Sequence, residues 1–200
     1  VSLGTSDTVF AQVSEAFPSA VAGHIFCDPT TPNGFSPLNC YSNGSLAREE
    51  VRYQSATMHR IQRSTLICRC IPPRDRYCDG SWNKFNQLLE STPAGNNGNL
   101  AVVFGYAVAS LCSTTLRRRA GSYVIHGSVP EITPRCAAGA IRFNGDGEQV
   151  DDFADAATHV RALVEGQFVL RRLHAQELGV VVRSGYVTGK GAASMLHYVH

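Results

Sequence analysis

The chain has 200 residues, of which 44% are hydrophobic and 17% are charged. That length suits one domain, with or without decorations, and the low charge excludes a disordered polyelectrolyte. No apolar run approaches the ~18–20 residues of a membrane span, so no membrane segment is expected. The opening VSLGTSDTVF has neither the basic nor the leucine-rich part of a secretory leader. It does not start with Met, so the chain reads as a piece of something longer.

The net charge of +2 hides a partition. Seven of the 18 Lys and Arg residues fall in two blocks, 53–74 and 105–128, that contain no carboxylate. The other eleven share the rest of the chain with all 16 Asp and Glu residues. The blocks lack interleaved aromatics, so they predict solvated loops and no nucleic-acid partner. Seven cysteines, an odd number without framework spacing, predict reduced thiols and a cytoplasmic protein. Cys68, Cys70 and Cys78 lack a second spaced pair, so no zinc site is expected.

In chain order, residues 1–13 predict a strand, a Gly-Thr-Ser turn and a second strand. Residues 23–27 form a short apolar strand, 28–37 a turn-rich stretch, and 38–41 another strand. Asn43-Gly44 marks a turn, and Ser45 can open a helix. Residues 81–90 predict a helix capped by Ser81, with Trp82, Phe85, Leu88 and Leu89 on one face. A Gly-Asn loop follows at 93–99 and a strand at 100–104. The clearest element is a helix over 152–178. Its inward repeat runs Phe153, Ala156, Val160, Leu163, Val164, Gln167, Leu170, His174 and Leu178. Asp152 and Asp155 suit its start, Arg171 and Arg172 its end, and Gly179 its C′ position. Residues 180–182 and 186–188 predict strand, 189–191 a turn, and 192–200 a helix. The alternation is that of an α/β fold.

Two turns could hold an anion. The Gly4-Thr5-Ser6 turn offers a backbone bend and hydroxyls, which suits a phosphate, as does the Thr188-Gly189-Lys190-Gly191 turn ahead of a helix start. Either one alone is more often only a turn. Trp82 is a core residue or an aromatic plate for a base. Asp7, the acid beside the first turn, is expected to close that turn locally. The histidines lack ligand spacing and are expected to be satisfied or exposed.

The segments VSLGTSDTVF, GHIFCDP, NGSLARE, SWNKF, NNGNL, EITP, RFN and VRALVEGQ occur in the order found in xylulose kinases of the FGGY carbohydrate kinase family. The chain resembles the C-terminal half of such enzymes over about three quarters of its length. The resemblance implies an actin-like, ribonuclease H-like domain, incomplete at its C-terminus, that closes over ATP against an N-terminal sugar domain. It implies phosphoryl transfer from ATP, with Mg2+, to D-xylulose. Contacts to the ATP phosphates would fall to Gly4, Thr5 and Ser6. The nucleotide would lie at Trp82, and the adenosine at the late turn carrying Gly189, Lys190 and Ser194. The family's catalytic base, an Asp in a Gly-Asp-Asn segment, belongs just upstream of Val1, so no catalytic residue is assigned here. The isolated chain is accordingly expected to be inactive; the alternative is a non-catalytic fragment that at most binds nucleotide or a partner subunit. Lys190 stands where the family has glycine and Ser194 where it has Asn, and a side chain at the former is expected to crowd the nucleotide. Excising 53–74 joins REEVR to DRYCDGSWNKF, and excising 105–128 joins NLAVVF to VPEITP. Both seams read as continuous family sequence, so the arginine blocks are hypothesised to be translated intron. Sequencing the mature transcript tests this: finding the blocks present would end the idea.

Overall fold

The computed structural model describes residues 1–19, 23–45, 47–49, 77–98, 131–132, 135–136 and 142–192. Both arginine blocks, the expected strand at 100–104, Cys68, Cys70, Ser194 and all but the first residue of the expected final helix lie outside the described residues.

The chain opens as an antiparallel hairpin, β1 (Ser2–Leu3) and β2 (Asp7–Phe10), turning through Gly4, Thr5 and Ser6. With β3 (His24–Cys27) and β4 (Phe35–Tyr41) it makes a four-stranded sheet of order β1-β2-β4-β3. β4 starts earlier than expected and runs through Pro37, although it lies between two strands. Proline is tolerated there because the missing N–H faces Ala11, beyond the end of β2, and Ala11 donates to the Pro37 carbonyl at 3.2 Å. Four two-residue strands pair locally as hairpins, β5 (Glu131–Ile132) with β6 (Arg135–Cys136) and β7 (Arg142–Phe143) with β8 (Gln149–Val150).

Two helices pack together beside the sheet. α1 (Trp82–Glu90) begins at Ser81, whose hydroxyl accepts from the Lys84 amide at 3.3 Å. Phe85 and Leu89 are its buried residues, and Trp82 and Leu88 pack against the same core while half-buried. α2 (Ala156–Glu177) is shorter at its start than expected, because Asp155 has extended backbone and caps it. Gly179 follows its end with φ +78°, the left-handed C′ conformation. Arg161, Ala162, Leu163 and Val164 are all buried, so the middle of α2 has no solvated face. The core gathers Leu3, Ala47, Tyr77, Cys78, Phe85, Leu89, Val160, Ala162, Leu163 and Val164.

Residues 180–182 are not a strand: Val181 and Val182 are exposed. Residues 186–188 come closer to expectation. Thr188 bridges Ser2 in parallel, the Leu3 amide donates to the Thr188 carbonyl at 2.8 Å, and the Thr188 amide donates to the Val1 carbonyl at 2.9 Å. No helix among the described residues is long and apolar enough to cross a membrane.

Candidate functional site

The two anion-suited turns meet at one edge of the sheet. β1 carries the first turn at its end and receives the second turn along its side. The Gly191 amide donates to the Leu3 carbonyl at 3.1 Å. Gly189 has φ +91°, and a Cβ there would stand 2.4 Å from the Leu3 carbonyl oxygen. Only glycine combines that dihedral with that approach. Thr5, Ser6, Thr188, Gly189 and Lys190 are exposed, and Gly4 is half-buried. Lys190 does not have a positive φ, so the left-handed conformation in this turn falls on Gly189, and the lysine side chain is at the surface. Ser194 lies outside the described residues. Trp82 opens α1 and meets Phe85 edge-to-face at 5.2 Å, within the core that also contains Leu3. It is a packing residue with part of its surface still open.

Beneath the hairpin lies a polar cluster that the sequence did not reveal. Asp7 does not close its own turn; it is 0% exposed and grips two arginines. Arg48 donates from Nη1 to Asp7 Oδ2 at 2.8 Å and from Nη2 to Asp7 Oδ1 at 3.0 Å. Arg171 of α2, expected at the helix end to complement the dipole, instead donates from Nη2 to Asp7 Oδ2. Its guanidinium also lies 5.0 Å from the Phe168 ring centroid and 5.6 Å from that of Tyr41. Arg172, the neighbouring residue, is the exposed one.

The cluster reaches the turns through backbone. Gln167 accepts from Arg48 Nη1 at 2.7 Å, and its Nε2 lies 2.9 and 3.1 Å from the carbonyls of Asn43 and Gly44, to which it donates. Arg48 Nη2 donates to the Ser45 hydroxyl at 3.0 Å, and the Ser45 amide donates to the Gly4 carbonyl at 2.9 Å. A Cβ on Gly44 would lie 2.5 Å from Asp7, so the Asn43-Gly44 turn signal also marks a close approach. The detectable sign of this cluster was Gln167 and His174 in an otherwise apolar repeat.

His174 is fully buried and stacks on Tyr41 with ring centroids 5.8 Å apart. Its Nδ1 is 3.1 Å from the Tyr41 hydroxyl, which accepts from Asn39 Nδ2 at 3.3 Å. Whether Nδ1 or the Tyr41 hydroxyl donates depends on the tautomer of the ring, whose Nε2 is buried with no hydrogen-bond partner among the described residues. Burial pushes the His174 pKa down to about 4.

Among the described residues no group of three His, Cys, Asp or Glu side chains could hold a metal. Asp7, the acid nearest the turns, is committed to two arginines. Its carboxylate is therefore not available as a Mg2+ ligand.

No protein-family model matches the chain. Individual proteins do. The xylulose kinase of Mus musculus is 36% identical over 195 residues, covering 97% of this chain and 27% of the mouse protein. That of Rattus norvegicus is 38% identical over 179 residues, covering 90% of this chain and 24% of the rat protein. The chain thus spans about a quarter of the length of the curated relatives it matches. Among solved structures, the xylulose kinase from Bifidobacterium adolescentis superimposes with a TM-score of 0.57 at 21% identity, over 96% of this chain and 29% of that one. The enzyme from Brucella ovis gives 0.52 at 19% identity. The fold is accordingly that of the actin-like ATPase domain of these kinases. Over 90–97% of its length the chain is thus similar to the C-terminal part of xylulose kinases of the FGGY carbohydrate kinase family.

Proposed function

We propose that this chain is the nucleotide-binding half of an ATP-dependent kinase that phosphorylates D-xylulose to D-xylulose 5-phosphate. The observation that carries the reading is the meeting of the 4–6 hairpin turn and the 188–191 turn on β1. ATP supplies the transferred γ-phosphoryl group, and the chain's task is to hold and orient it. The Gly4-Thr5-Ser6 turn presents backbone and two hydroxyls to phosphate oxygens. The turn at Gly189, Lys190 and Gly191 presents backbone and an exposed cation from the other side. Such preorganised donors around a polyphosphate supply positioning and charge stabilisation, most of what phosphoryl transfer asks of a protein. Trp82 offers its open surface to the base, and the resemblance alone assigns Ser194, outside the described residues, to the adenosine.

Among the described residues of the site, Asp7 is the acid nearest the turns, and it is buried and ion-paired and so not open to a sugar hydroxyl. Deprotonating that hydroxyl and forming the sugar pocket would fall to the N-terminal sugar domain that the resemblance implies. The arginine blocks 53–74 and 105–128 are insertions in this domain. A cytoplasmic location is supported by the odd number of cysteines without framework spacing.

The test is ATP-dependent phosphorylation of D-xylulose by the chain alone and with the N-terminal part of a family member supplied in trans. Activity is expected only on complementation. A folded chain that binds no ATP and gives no activity in either arrangement overturns the reading and leaves a non-catalytic fragment.

A further inference from the structure

We propose that Arg48 is a positioning residue that locks the two nucleotide turns to each other from below. The inference rests on the nucleotide reading of those turns given above.

Three links converge on this one guanidinium. Through Asp7 it holds the first residue of β2, immediately after Ser6. Through the Ser45 hydroxyl it holds the residue whose amide caps the Gly4 carbonyl. Its Nη2 also lies 3.5 Å from the position of a Cβ on Gly191, so it packs directly under the second turn. The group is 1% exposed and cannot contact a ligand itself. It acts by fixing where backbone donors stand, which is the task of a planar, forked side chain that cannot lose its charge.

Arg171 provides the control. Removing either arginine leaves one aspartate paired with one guanidinium, so both variants disturb the buried charge balance comparably. Only Arg48 touches Ser45 and Gly191. Arg48→Met also strands the Gln167 carbonyl, so unequal stability alone is no sign of positioning; a positioning role shows as faster exchange at the Ser45 and Gly191 amides in Arg48→Met alone.

The experiment uses the full chain, with trinitrophenyl-ATP binding and amide hydrogen exchange measured on the wild type, Arg48→Met and Arg171→Met. Arg48→Met is expected to weaken nucleotide binding about tenfold beyond Arg171→Met. It is also expected to accelerate exchange at the Ser45 and Gly191 amides, the two joints, where Arg171→Met leaves them slow. Equal changes in the two variants overturn the proposal. If Arg48→Met does not fold, Ser45→Ala decides. Faster exchange at Ser45 with weaker nucleotide binding sustains the proposal, and unchanged values overturn it. A wild-type chain that binds no nucleotide defeats the nucleotide reading, while the exchange comparison still decides whether Arg48 couples the turns.

Discussion

Helix α2 has two different neighbourhoods along its length. Toward its N-terminal half, Val160, Leu163 and Val164 meet Phe85 and Leu89 of α1 in an apolar core. Toward its C-terminal half, Gln167, Arg171 and His174 face Asp7, Arg48 and Tyr41 beneath the sheet. The contacts of Val160, Leu163 and Val164 bury surface without direction, so they stabilise the fold and tolerate rearrangement, although Arg161 in the same half is anchored to the Leu89 and Thr92 carbonyls. The polar half is directional, and each hydrogen bond fixes a distance between segments far apart in sequence. It is the half that lies under the candidate nucleotide turns. The contrast teaches that one helix can supply stability from one end and alignment from the other.

The largest expected effect comes from deleting the charge at the polar end. Asp7→Ala leaves Arg48 and Arg171 buried without their shared carboxylate, and uncompensated buried charge costs ~3–5 kcal/mol. Denaturant unfolding of wild type and variant measures it. A loss below ~1 kcal/mol would mean that the cluster rearranges freely, and the contrast between the two halves would break. At the apolar end, Leu163→Ala is expected to cost ~3 kcal/mol, because the residue is 1% exposed and leaves a cavity. Nucleotide binding should be unchanged in Leu163→Ala at temperatures where it remains folded, whereas Asp7→Ala should lose it even when folded.

The two halves also differ in how far the sequence disclosed them. The apolar repeat located α2, and Ser81 located the start of α1, because a 3.6-residue period and a cap are local signals. The Gly4-Thr5-Ser6 turn was legible for the same reason. The docking of the 188–191 turn on β1 was not, since its bridge joins residues from opposite ends of the chain. Nor was the ion cluster: residues 7, 48 and 171 carry no spacing that announces their meeting. Three consecutive valines misled at 180–182, where β propensity had no pairing partner to act on. Propensity describes a surface that fits a sheet, not the presence of one.

A third prediction sharpens the comparison through pH. The His174 pKa is about 4 in the folded chain, below its ordinary 6.5, because burial disfavours the charged ring. The unfolded chain therefore binds an extra proton between those two values. Stability is full above pH 6.5, falls as the pH drops toward 4, and is flat for this group below that. The total from His174 is ~3 kcal/mol. Unfolding curves from pH 7 to 4 should show the slope in wild type and lose most of it in His174→Phe. An unchanged slope in that variant would move the polar end's pH sensitivity to another group.

The smallest effect belongs to the opposite end of α2 and tests whether the halves are separable. Asp155 takes extended backbone, its Oδ1 accepts from the Thr158 amide and its Oδ2 from the Thr158 hydroxyl, both at 2.8 Å. Burial would raise this carboxyl's pKa. The Thr158 bonds, a further bond from the Ala157 amide and the charge of His159 outweigh it and hold the pKa below the ordinary carboxylate range. Asp155→Ala should cost ~1 kcal/mol near neutral pH, and Asp155→Asn less, because the amide oxygen still accepts the Thr158 amide. A depressed carboxyl pKa contributes stability above the unfolded value and loses it as the pH falls through the folded one. The gap between wild type and Asp155→Ala should therefore narrow on acidification, whereas the gap between Asp155→Asn and Asp155→Ala, neither of which carries the titrating group, should stay constant. If the halves are separable, none of these variants alters exchange at the Ser45 and Gly191 amides. Fraying at Asp155 that reached those joints would show that the apolar half also takes part in alignment.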